Sequence, residues 1–210
     1  MGVMDLPRFV VGRKTPILHV WKQSHADSRP PAIRNDGIET ATGLPRSLIQ
    51  LLAEFDSENT ENSLWMWCDA EGDTTQWLLW NMYRLAGILS MRSKQRTSNS
   101  NPVEQPAPAL KSLISQSIAH IDGYSVLTQR AGVEDPSALL FPLFSVGSHA
   151  SALTVAQKTF ISDTLHTLKR HHTSTVQAQG LLQVLNYLWQ HPLLNADEVA
   201  QHLSLEISLL

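Results

Sequence analysis

The run Ala138-Leu139-Leu140-Phe141-Pro142-Leu143-Phe144-Ser145-Val146-Gly147-Ser148 decides how the chain is read. An apolar stretch that carries one proline and closes on a glycine predicts a buried helix, bent or broken once, rather than a strand. Its neighbours share the helical period. Val155 to Lys169 presents Ile161, Leu165 and Leu168 at helical spacing, and Val176 to Gln190 presents Leu181, Leu182, Leu185, Leu188 and Trp189. His191-Pro192 ends the second of these, because a residue before proline is pushed out of helical geometry. A terminal helix is expected over Ala196 to Leu209.

Before the central run, Leu110, Leu113, Ile114, Ser117, Ile118 and Ile121 mark another helix. Met91 to Pro108 holds Pro102, Pro106 and Pro108 among serines and cations with almost nothing to bury, and reads as a mobile loop over 91–108. Trp77, Trp80, Tyr83, Leu85, Ile88 and Leu89 lie on a helix of roughly 74–92, with Asp73 or Thr74 as its cap. Asp56 to Asn62 reads as a polar connection. Leu44, Leu48, Leu51, Leu52 and Phe55 form one apolar face of a helix that Pro45 enters in its first turn, where a missing N–H costs nothing. Residues 1–41 lack helical periodicity and contain Pro7, Pro16, Pro30 and Pro31; they are expected to be a poorly structured arm. Within it Val10, Val11, Ile17, Leu18, Val20 and Trp21 are suited to dock on the core as a strap. Strand signals are scarce and no fixed-period repeat occurs. The expectation is an all-α fold: a single irregular helical domain of about seven helices over 42–210, preceded by a mainly non-helical arm.

Composition narrows the chemistry. The chain of 210 residues is 42% apolar with six tryptophans, enough for one sizeable core. A formal charge of −3 lacks the basic excess that phosphate binding requires. Only the segment 1–34 is mildly basic, with Arg8, Arg13, Lys14, Lys22, Arg29 and Arg34 against Asp5 and Asp27, and it reads as a solvated arm. The single cysteine, Cys68, permits no intrachain disulfide and no thiolate zinc cluster. Met1 to Val11 makes a poor signal-peptide core, and no apolar run reaches the roughly 18 residues of a spanning helix. The chain therefore reads as soluble and intracellular, with no membrane association.

Catalytic and metal constellations are weak. The residue four after His166 is Arg170, and His171 and His172 diverge as neighbours on a helix, so no pair of histidines is set to hold a metal. Gly147-Ser148-His149-Ala150-Ser151 resembles a nucleophile elbow only loosely, since Val146 and Ala150 stand where that turn needs glycines. Gly147 is better read as the close point of a helix crossing. No phosphate-binding glycine loop appears, and no pair of acids is spaced for proton transfer. Lys169-Arg170-His171-His172 suits the negative end of a helix dipole. Trp65, Trp67, Trp77 and Trp80 form an aromatic cluster that is either core or the lining of a candidate ligand pocket.

Four blocks carry a family resemblance. "GLPRSLIQLLAEF" (Gly43 to Phe55), "TTQWLLWNMYRLAGIL" (Thr74 to Leu89), "DPSALLFPLFSVGSHA" (Asp135 to Ala150) and "LLQVLNYLWQHPLL" (Leu181 to Leu194) resemble, in order, helices of the fungal-specific transcription factor domain. That domain is the helical regulatory region downstream of a binuclear zinc cluster. Its signature falls here on Leu139, Leu140, Phe141, Pro142, Leu143, Phe144 and Gly147. The resemblance implies a nuclear, non-enzymatic transcription regulator without catalytic residues, cofactor or metal. It implies protein partners such as a full-length zinc-cluster regulator, a small-molecule effector, and a setting such as secondary-metabolite gene control. None of these residues matches a zinc ligand or a base-reading position, so direct nucleic-acid binding does not carry over. The rival expectation is a small helical ligand-binding module, or a biosynthetic-cluster enzyme, using the Trp65–Trp80 region.

Overall fold

A computed structural model describes residues 6, 9–14, 37–54, 59–68, 71–97, 109–132, 136–169 and 174–210. Among these residues the elements run β1 (Val10–Val11), α1 (Arg46–Ala53), α2 (Thr60–Met66), α3 (Thr74–Thr97), α4 (Leu110–Ala131), a 3-10 turn (Pro136–Leu139), α5 (Leu140–Gly147), α6 (Val155–Leu168), α7 (Thr175–Gln190), α8 (Ala196–His202) and β2 (Ile207–Ser208). The fold is all-α, and the one sheet among the described residues is a two-residue antiparallel pair.

Short local signals set many of the boundaries. Pro45 stands just outside α1 in an extended conformation, as its N-cap rather than in its first turn. It is held there by an isolated bridge to Ile38. Asp73 begins α3 by a reciprocal bond: its carboxylate accepts from the Gln76 amide at 2.8 Å, and its own amide donates to the Gln76 side chain. The same box starts α6 through Thr154 and Gln157, and α8 through Asn195 and Glu198. Helix α7 stops at Gln190, one residue short of the His191-Pro192 step, as the sequence predicts.

Three expectations change. The stretch over Asp56 to Asn62 is not all connection, since a short helix starts at Thr60; residues 55–58, including Phe55, lie outside the described residues. Helix α2 buries one large apolar side chain, Leu64, and is held by two arginines of α3 instead. Arg92 donates through Nε and Nη2 to Glu61 Oε1, at 2.9 and 2.7 Å, and Arg84 donates to the Trp67 carbonyl at 3.2 Å. One end of α2 is thus tied by charge and the other by a helix-end carbonyl that lacks an intrahelical partner. Helix α3 itself runs on to Thr97, into the stretch expected as loop, while residues 98–108 lie outside the described residues.

The third change is at the C-terminus. Helix α8 ends at His202 instead of continuing to Leu209. Ser204 takes a left-handed conformation (φ 57°), the Leu205 amide returns to the Ala200 carbonyl at 2.8 Å, and the chain leaves as a strand. There it meets the N-terminal arm: Val10 pairs with Ser208, Val11 with Ile207, and the Leu209 amide donates to the Phe9 carbonyl. Val10 and Val11 therefore do dock, whereas Ile17, Leu18, Val20 and Trp21 lie outside the described residues.

Candidate functional site

The central apolar run forms the innermost helix. Leu140, Phe141, Leu143 and Val146 are fully buried, Leu139 and Pro142 are buried, and Phe144 packs partly covered against the same core. Pro142 is the third residue of α5, among the positions whose N–H has no intrahelical partner, so it breaks no hydrogen bond. The change in winding lies upstream, where the 3-10 turn meets the α-helix at Leu139–Leu140.

Helix α5 touches α3, α4, α6 and α7. Polar atoms in it and just beyond its end bind it to α3: Ser145 shares a hydrogen bond with Ser90 at 3.0 Å, and buried His149, two residues past Gly147, places Nε2 3.0 Å from the Leu89 carbonyl. Gly147 faces α7. A Cβ there would lie 2.7 Å from Leu185 Cδ1, and the Gly147 carbonyl accepts from the Trp189 indole at 2.9 Å. No other residue type fits that crossing without moving Leu185.

The Ser148-His149 pair does not assemble a nucleophile. Ser148 Oγ donates back to the Phe144 carbonyl at 2.8 Å, at the end of a helix, and His149 turns to α3. Among the described residues no three His, Cys, Asp or Glu side chains converge as a metal site. Cys68 is exposed. No helix among the described residues is long and apolar enough to cross a membrane.

The four tryptophans separate into two roles. Trp80 is fully buried and donates to the Gly43 carbonyl at 2.8 Å; Trp67 meets it edge-on at 6.5 Å and donates to Ser47 Oγ at 3.1 Å. Trp65 is half-buried and reaches Glu61 Oε1 at 3.3 Å. The rings of these three pack against the core; the Trp67 and Trp80 N–H groups serve partners from other segments, and that of Trp65 serves its own helix. Trp77 is different. It is 43% exposed, and its ring lies edge-on to the half-buried His120 of α4 at 5.2 Å. Burial, and then the charge of Arg84, hold the His120 imidazole below its ordinary pKa. Trp77, His120 and Arg84 form a partly open aromatic and polar surface between α3 and α4. From sequence Trp77 stands out only as one of four tryptophans of a candidate pocket, and neither His120 nor Arg84 stands out. The only signal for Arg84 was its place seven residues beyond Trp77, two turns along the same helix.

Comparison with protein-family models, with characterised proteins and with solved structures finds no match to this chain.

Proposed function

We propose that the chain is a non-enzymatic regulatory module of the fungal transcription factor type, acting in the nucleus through protein contacts of its helical body. What supports the reading is the agreement between sequence blocks and packing. The blocks that resemble that domain fall on α1, α3, α5 and α7, and the signature block supplies the helix on which α3, α4, α6 and α7 converge. A regulator of this kind needs a cooperative helical body whose surface is read by a partner. Catalysis would instead need converging polar groups in a cleft.

The test tethers the full chain to an unrelated DNA-binding domain upstream of a reporter in a fungal host. Regulation predicts a changed reporter output, lost when Gly147→Leu disrupts the core. Unchanged output, with the fusion expressed and nuclear, overturns the reading.

The exposed ring of Trp77 beside His120 and Arg84 favours a second reading, a small-molecule effector site. Trp77→Ala would then abolish a ligand's effect on the reporter while leaving basal output intact. Equal loss of both outputs would count against it.

A further inference from the structure

We draw no further inference here: the strongest candidate, the partly exposed face of Trp77 beside His120 between α3 and α4, belongs to the effector site already described, and nothing in the structure shows what covers it.

Discussion

Trp77 and Trp80 lie three residues apart on α3 yet differ in what they can be asked to do. Trp80 has no exposed surface, bonds the Gly43 carbonyl and packs on Trp67. Trp80→Ala should therefore cost about 3–5 kcal/mol, since a large cavity opens in a close-packed site. Trp77→Ala should stay within about 1 kcal/mol, because nearly half of that side chain is already in water. Urea denaturation of both variants checks the contrast, and equal losses would mean that Trp77 is core. His120 gives a pH-dependent counterpart. Burial, then Arg84, lowers its pKa in the folded chain below the ordinary 6.5, so the unfolded chain takes the proton first as pH falls. Stability linked to the neutral imidazole is present above about pH 6.5, and is lost as pH drops from there through the lowered folded-state pKa. His120→Asn should consequently lose less stability than the parent between about pH 7.5 and pH 5, as read from urea midpoints. A parallel loss would show that His120 does not contribute.

At the scale of elements, α5 is where small and large residues matter equally. Its fully buried leucines and Phe141 supply the burial, but Gly147 sets how close α7 can come. Gly147→Leu should destabilise by about 1–3 kcal/mol through overpacking against Leu185, seen as a lower Tm in a thermal melt. An unchanged Tm would mean that Leu185 moves aside at no cost. Helix α2 shows the opposite balance. With only Leu64 as a large buried apolar side chain, it depends on Arg92 at Glu61 and Arg84 at the Trp67 carbonyl. A seven-residue helix is too short to persist on propensity, so it forms only against the surfaces of α1 and α3. That is why Asp56 to Asn62 reads as connection from sequence: the cations that hold this helix lie 31 and 17 residues further on, Arg92 from Glu61 and Arg84 from Trp67.

Across the whole molecule, the two ends of the chain complete one core. Ile207 and Leu209 are buried, and β2 is the strand to which the N-terminal arm pairs. Deleting Ile207 to Leu210 should cost at least about 3 kcal/mol, from two apolar side chains returned to water, and should leave Val10 and Val11 without their strand partner. A urea midpoint equal to that of the intact chain would overturn this. The local pattern Leu205-Glu206-Ile207-Ser208-Leu209 does alternate like a strand, but it is too short to outweigh a helical reading without its partner. The existence of every helix but α2, the ends of α7, the burial of the central run and the all-α class were determined by the sequence itself, because period, caps and proline act within one or two turns. Only the tertiary structure decided that Phe9 enters the core, that α2 exists, that Trp77 is set apart from Trp80, and that His120 and Arg84 join it. Each of these depends on contacts between residues distant in the chain, whose energy no local pattern contains.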